Sequence, residues 1–520
     1  MITIVSQLAL KKAGALAFIL VTLLGSGSAQ GTGGGSSTSQ RAQQVQLSGR
    51  SQSGATVSAQ QSAAQSGGSS SVNTVNSVVQ IQGSYQGSVP APASGNGPAA
   101  LTLSEALRMG LQYNLGGISS NSTLQQLRGL RLAALSEMLP NIYGTISETG
   151  AKTDLQSLGL SNGTFGGGIS LPTVVGPYHY YSAQANVSEQ FSLTSIFNLR
   201  SANAAQQAGS LDAHDARELI ILGVGGSYLR VLATQALVAS QEAQVKYAET
   251  SYQQAQAQYQ AGTKAVIEAN RSLVELQTQR QRLTSQRADL TKQKMTLARL
   301  IGISPGRDLS LAETLPADPP PLPDVDQAIR IASDHRYDLR AAAFQLKAAE
   351  DARRASRSEY LPSASVNGYY GGQGVNPDKG AGVFQASASI NIPIWSSGRT
   401  RADVEQADAA ITQRRAEYAD QRGVVENDVR TALIDLKVAI EQVQVAESNR
   451  KLALSTLQQS QDRFAAGVTT SVEVVQSEES LASAEHDYIN SLFSLNLGQI
   501  SLARALGQAE TTIPTMLKGQ

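Results

Sequence analysis

The groups in this chain that could do chemistry are four histidines, one glycine-rich pentapeptide and 41 carboxylates, and none has the spacing a reaction centre needs. His179, His214, His335 and His486 lie singly, without the His-x-x-x-His or mixed His and carboxylate spacing that holds a metal. Gly223-Val224-Gly225-Gly226-Ser227 has the glycines of a phosphate cradle but lacks the Gly-Lys-Ser/Thr ending whose lysine reaches the phosphates. It also falls inside a series of valines seven residues apart, so it reads as closely packed helix. No Gly-x-Ser-x-Gly elbow presents a serine. The absence of cysteine excludes disulfides, thiolate metal sites, cysteine nucleophiles and a lipidated N-terminal Cys. Carboxylates along the helical stretches alternate with Arg and Lys, as on a solvated surface. No catalytic residue, cofactor or metal is expected.

The bulk numbers narrow the class. Lys plus Arg equal Asp plus Glu at 41 each, which removes the electrostatic case for a nucleic-acid partner. Lys11-Lys12 precede an apolar run from Ala13 to Leu24 and small residues up to Ala29, the pattern of a cleaved secretory leader over 1–29. The run has 12 residues, short of the ~20 that span a bilayer. Residues 30–98 are rich in Ser, Gln and Gly and are expected to be disordered, for want of apolar surface to offset ordering entropy. Five prolines between Pro316 and Pro323 mark an extended connector, and 511–520 form a short tail.

Between these markers the chain repeats itself, as 99–315 and 324–510. Gln258-Tyr259-Gln260-Ala261-Gly262-Thr263 answers Arg463-Phe464-Ala465-Ala466-Gly467-Val468, and Leu297-Ala298-Arg299-Leu300-Ile301-Gly302 answers Leu502-Ala503-Arg504-Ala505-Leu506-Gly507, both at an offset of 205. Each half opens on a capping box, Thr102 to Glu105 and Asp324 to Gln327. A second helix in each half stops before Pro140 or Pro362. Long helical hairpins are predicted over 199–302 and 399–507. Their heptads run Val224, Val231, Val238, Val245, Tyr252, Tyr259 in the first half and Val429, Leu436, Val443, Arg450, Leu457, Phe464 in the second. Ala432, Ala439, Ala446 and Ala453 follow three residues behind, as in a coiled-coil seam of close backbone approach. A helix over 199–260 is about 90 Å long, which suits a rod or the wall of a tube.

Strand pairs are predicted at about 141–193 and 364–394. Tyr181, Ala183, Ala185, Val187 and Phe191 alternate with polar residues, broken only by Glu189. Phe384, Ala386, Ala388, Ile390 and Ile392 do the same. The first strand of each pair is expected at about 141–148 and 364–371, with glycine-rich loops at 151–179 and 372–382. Four strands cannot close a barrel, since the smallest use about eight. Either the sheets pack on something soluble, or several chains pool strands into one barrel. Tyr178, Tyr180, Tyr181, Tyr369, Tyr370 and Trp395 bracket the strands, equally consistent with interfacial aromatics and with ordinary turn residues.

Over about 101–510 the chain resembles the TolC-type outer-membrane efflux proteins. The carriers are Leu101-Thr102-Leu103-Ser104-Glu105-Ala106-Leu107, the Leu-Pro before each first strand, Asn391-Ile392-Pro393-Ile394-Trp395-Ser396-Ser397-Gly398-Arg399, and the aromatic-x-x-Gly turns at Tyr259 and Phe464. Asn114-Leu115-Gly116-Gly117 departs from the usual Asn-Pro, and 30–98 has no family counterpart. The resemblance implies a mainly α protein with a small β part, in which long coiled-coil-like helices form an α-barrel. It implies a homotrimer in the bacterial outer membrane, each protomer giving four strands to a 12-stranded transmembrane β-barrel and its helices to a periplasmic tunnel. Its partners would be outer-membrane lipid, a periplasmic adaptor and an inner-membrane transporter, and it would be a passive duct rather than an enzyme. The family's acidic ring at the tunnel mouth maps onto Glu268 and Glu473, with Gln476 at the second acidic position. Lys264 and Arg271 stand near Glu268 to hold a closed state by ion pairs. Tyr259, Gly262, Phe464 and Gly467 mark the hairpin turns. The competing reading is a secreted coiled-coil or adhesive fibre with small soluble sheets.

Overall fold

The computed structural model describes residues 56–63, 75–91, 99–158, 172–311, 313–376 and 378–515. The expected leader at 1–29 lies outside them. In chain order the elements are β1 (Val57–Ala63), β2 (Val75–Ile81), β3 (Ala99–Leu101), α1 (Leu103–Tyr113), α2 (Leu115–Ser136), β4 (Asn141–Asp154), β5 (Val174–Phe191), α3 (Leu193–Gln260), α4 (Val266–Ile301) and β6 (Leu309–Leu311). The second half supplies α5 (Val325–His335), α6 (Tyr337–Ser358), β7 (Ser363–Gly374), β8 (Ala381–Asn391), α7 (Arg399–Ala465), α8 (Ser471–Ala505) and a final turn, α9 (Ala509–Thr512). Thr102 and Asp324 cap α1 and α5, each accepting from the backbone N–H three residues on.

One antiparallel sheet in the order β4-β5-β7-β8 takes a strand pair from each half. Its centre is the β5–β7 ladder, which runs from Tyr181 opposite Gly374 to Phe191 opposite Ala364. The register places Ile142, Ile146, Ala183, Ala185, Val187, Phe191, Val366, Tyr370, Phe384, Ala386, Ala388 and Ile390 on one face. Thr145, Ser147, Ser182, Gln184, Asn186, Ser365, Asn367, Gln385, Ser387 and Ser389 share the other. The apolar face is bare: Ile146 is 75%, Phe384 78% and Ile390 72% exposed. Two boundaries differ from expectation. β4 runs on to Asp154 and β5 begins at Val174, so both ends of the anticipated loop over 151–179 are strand. Tyr178, Tyr180 and Tyr181 therefore lie inside β5, and Tyr369 and Tyr370 inside β7, rather than bracketing them.

The long helices are ~100 Å each at 1.5 Å per residue, with α3 spanning 68 residues and α7 spanning 67. In α7 the predicted seam is buried at Val429, Leu436, Val443, Leu457 and Phe464, with Ala432, Ala439 and Ala446 beside it. In α3 the valine heptad is buried only as far as Val238. Below it the buried positions become Gln241, Ala248 and Ala255, and Tyr259 is 46% exposed. Gln241, Ala248 and Ala255 are again seven apart, each three residues after a position of the valine series, so the seam keeps its heptad spacing and shifts to its second position. The two halves also meet through buried charge, where Arg504 of α8 binds Asp215 of α3, while Arg336 binds Asp338 and Asp428 within the second half.

The largest correction concerns 30–98. Its described residues include an antiparallel hairpin, β1–β2, pairing Val57 with Ile81 and Ala59 with Val79. The hairpin lies on α3 and α8, where Ser77 Oγ donates to Ser494 Oγ at 2.9 Å. A Cβ built on Gly226 would stand 2.4 Å from Val79 Cγ2, and one on Gly116 would stand 2.2 Å from the Tyr85 ring. The pentapeptide that mimicked a phosphate loop is thus the bed of this hairpin, and Gly116, in the unusual Asn114–Gly117 stretch, makes room for Tyr85. The composition of 30–98 hid a short period-two pattern that needs only one apolar face. At the other end the tail begins inside the fold, because Ile513 is buried in the same core as Val57 and Ile221. Replacing Gly226 with Val should overpack this contact by about 1–3 kcal/mol. The expected outcome is faster amide hydrogen exchange in Val75–Ile81, with exchange in α7 unchanged.

Candidate functional site

The hairpin turns are built alike. Gly262 and Gly467 have φ of +72° and +75°, the left-handed geometry that glycine adopts without strain. Around Gly262, Thr263 N donates to Gln258 O at 3.0 Å and Gly262 N to Tyr259 O at 2.9 Å. Around Gly467, Val468 N donates to Arg463 O at 2.9 Å and Gly467 N to Phe464 O at 3.0 Å. Both are Schellman closures that satisfy the last carbonyls of a long helix. Phe464 packs with Leu457, Val474 and Leu481 in a small apolar cluster at the second tip, whereas Tyr259 faces outward at the first.

The two tips are clasped to each other. Glu268, in the first turn of α4, reaches to the start of α8, where its Oε2 accepts from Ser471 N at 3.3 Å and from Ser471 Oγ. Thr470 supplies no side-chain cap to α8, so the carboxylate from the other hairpin serves as its cap at the positive end of the helix dipole. Lys264 adds a second strand to the clasp. Its Nζ donates to Thr469 O at 3.4 Å and lies 5.3 Å from the Phe464 ring centroid. Arg271 flanks Glu268 at 3.4 Å on the solvent side. The Ser471 hydroxyl, first, and then its N–H and the charges of Arg271 and Lys264 hold the Glu268 carboxyl below the usual glutamate range, against the opposing effect of burial.

Glu473 is placed differently from its counterpart. It stays within its own hairpin, 2.7 Å from Arg463 Nη1, and accepts from Thr469 Oγ1. Gln476 is exposed and makes no side-chain contact with Glu473 among the described residues. The structure therefore gathers Glu268, Lys264 and Arg271 into one cluster and Glu473 into a neighbouring one, and leaves Gln476 apart. Ser471, Thr469 and Arg463 complete the clusters, and the sequence did not single them out. Arg463 was visible as the residue before Phe464. Ser471 was not, because it corresponds to Val266 in the first half and gains its role only when two hairpin tips, 203 residues apart in sequence, come together.

Comparison with known proteins gives one answer. The sequence profile described as "Outer membrane efflux protein" matches residues 153–303 and 328–508. The chain is 25% identical over 176 residues to the probable outer membrane lipoprotein SilC of Salmonella typhimurium, covering 33% of this chain and 38% of that protein. It is 25% identical over 211 residues to the probable efflux pump outer membrane protein SepC of Pseudomonas putida, covering 38% and 44%. These matches span less than half the length of either relative. Among solved structures, the Campylobacter jejuni CmeC outer membrane channel superposes with a TM-score of 0.69 at 15% identity, over 81% of this chain and 90% of that one. The outer-membrane channel OprN gives a TM-score of 0.67 at 20% identity, over 78% and 90%. The fold is that of these channels.

The clasp has a defined pH sign. Because the Glu268 carboxyl is depressed when bound, its contribution is present above the ordinary glutamate value of 4.5 and is lost as pH falls through the lower bound value. Glu268→Ala should remove roughly 1 kcal/mol, the net worth of a partly solvated hydrogen bond. Measured by hydrogen exchange, protection of the Ser471 amide should drop in this variant at neutral pH and lose its acid-dependent component.

Proposed function

Because the chain belongs to the outer membrane efflux protein family, we propose that it is the outer-membrane channel of an efflux assembly, a homotrimeric duct through which cargo leaves the periplasm. One observation carries this reading. The four-stranded sheet is apolar and exposed on one face, polar on the other, and its edge strands β4 and β8 have no partner among the described residues. Lipid tolerates the apolar face but not unpaired edges, so a membrane-embedded sheet must close. Three copies of four strands make a barrel of 12, with β4 of one copy against β8 of the next and the Ser, Asn and Gln face lining water. Trp395, Ile394 and Ile392, exposed just beyond β8, suit the membrane interface.

The helices support the same assembly. Ile434, Val445 and Leu452 are exposed on one face of α7, as is Val274 on α4. No described residue covers them, and they would be covered where neighbouring copies complete a tunnel wall. The apolar window of α3 is mostly buried inside the protein, which makes it a core helix rather than a membrane span. At the mouth, Glu268 and Glu473 would form alternating carboxylate positions, with Lys264 and Arg271 bracing the closed state. Val266, Ile267, Val468 and Val472 are exposed at the tips and offer an apolar landing for a periplasmic adaptor and its inner-membrane transporter. The pump named with SepC is the analogy for those partners. A soluble fibre would need the strand pairs to cover their apolar face, and within this chain they leave it bare.

The test contrasts the two faces of β8. Ala386→Arg, at the middle of β8, puts a charge toward lipid and should cost about 2–4 kcal/mol at mid-membrane. Ser387→Arg puts the same charge on the water-lined side and should be tolerated. Native mass spectrometry of detergent-extracted outer membranes should find trimers for the parent and Ser387→Arg, and few for Ala386→Arg. Water-soluble monomers of the parent, or equal trimer yields from both variants, would sink the barrel.

A further inference from the structure

Above the tip clasp, the two hairpins touch at a second polar point. Glu478 of α8 lies about two helical turns beyond Ser471 and is only 6% exposed. Its side chain accepts from Ser251 Oγ of α3, in the other hairpin, at 2.9 Å, the one direct hydrogen bond it has among the described residues. From α4 comes Glu275, whose carboxylate is held by Gln279 Nε2 at 2.6 Å, and Gln279 in turn accepts from Gln241 of α3 at 2.6 Å. From α7 comes Ser460, which pairs with Ser477 at 2.8 Å. Glu249 of α3 and Arg280 of α4 pair with each other on the exposed side at 3.2 Å. Among the described residues no Lys or Arg forms an ion pair with Glu478 or Glu275.

We propose that Glu478 is a proton-operated latch between the hairpins: protonated, it holds α3 against α8, and ionised, it loosens that seam and widens the mouth at the tips. The proposal rests on the reading of those tips as the mouth of a channel. A neutral carboxyl can donate as well as accept, so it fits a pocket whose other groups are a serine hydroxyl and a carboxylate. An ionised one is left buried beside Glu275 with a single donor, and relief comes only by parting the helices and admitting water. Burial, then the charge of Glu275, pushes the Glu478 carboxyl up to about 7, with the Ser251 hydroxyl pulling the other way. The sign follows from linkage. The closed seam is fully supported below the ordinary glutamate value of 4.5, and that support is lost as pH rises from there through about 7. The Glu268 clasp has the opposite sign and titrates below 4.5, so of these two tip contacts only the latch titrates between about pH 5 and 8.

The experiment is conductance of the purified full-length protein in planar bilayers between about pH 5 and 8. Conductance of the parent should rise as pH passes through about 7. Glu478→Gln should stay at the acid value throughout, so that its alkaline-to-acid ratio falls to about one. Glu275→Gln should move the midpoint to lower pH, and Ser251→Ala, which removes the only donor, to higher pH. Pores with a flat profile in the parent, or an unchanged profile in Glu478→Gln, would overturn the latch and leave the duct standing. No pores at any pH would bring down the duct and the latch together.

Discussion

The ladder between β5 and β7 is the constraint from which the rest of this molecule follows. It joins a strand of the first half to a strand of the second over residues 181–191 and 364–374. That pairing sets all four strands in one register, so their apolar residues share a face. It also points both helical hairpins away from the same end of the sheet. Two hairpins leaving together can then lie side by side for their whole length and meet at their tips. Without the ladder each half would keep a two-stranded sheet of its own, which is marginal in water.

Where the halves meet, they are alike in outline and unlike in chemistry. Corresponding glycines close both turns, and corresponding seams bury leucine, valine and alanine. Yet Glu268 crosses to the neighbouring hairpin, whereas Glu473, 205 positions on, is held by Arg463 and Thr469 of its own. The first hairpin therefore acts as the clasp and the second as what is clasped. Higher up, Ser251 of α3 and Glu478 of α8 reverse that relation between the same two hairpins, with the hydroxyl on the first and the carboxyl on the second. A duplicated chain has become a working pair through a few polar substitutions at the contact surface.

Long-period features were legible in the sequence and short or cross-chain ones were not. Heptads, helix-stopping prolines and turn glycines act through local geometry, and α3, α4, α7 and α8 with their turns follow from them. The alternation in β5 and β8 was as plain, because one bare face tolerates no lapse. Glu189, which breaks that face, was seen as the exception and lies opposite Val366 on the apolar side. The β1–β2 hairpin was missed because strong Ser and Gln content over 30–98 outweighed a few apolar residues such as Val57, Val79 and Ile81. Tyr259 was assigned to a seam that it leaves, because lower α3 buries the companion heptad of Gln241, Ala248 and Ala255 instead of the valine and tyrosine series. Ser471 and Ser251 carry no sign of their roles, since a serine on a long helix is ordinary until a carboxylate from elsewhere arrives.

The β1–β2 hairpin lies outside the stretch that the family profile covers. It is seated because Gly226 and, one turn earlier, Gly223 leave a furrow on α3. A furrow in a long helix is a cost in backbone order unless something fills it. Hairpin and furrow should therefore be inherited as a unit. Chains that have lost the hairpin would be free to refill the furrow with alanine or larger residues, and chains that keep it would not. A pair of glycines three apart in the long helix, with a short alternating apolar segment far upstream, becomes a signature by which relatives sharing this added strap can be sorted from those without it.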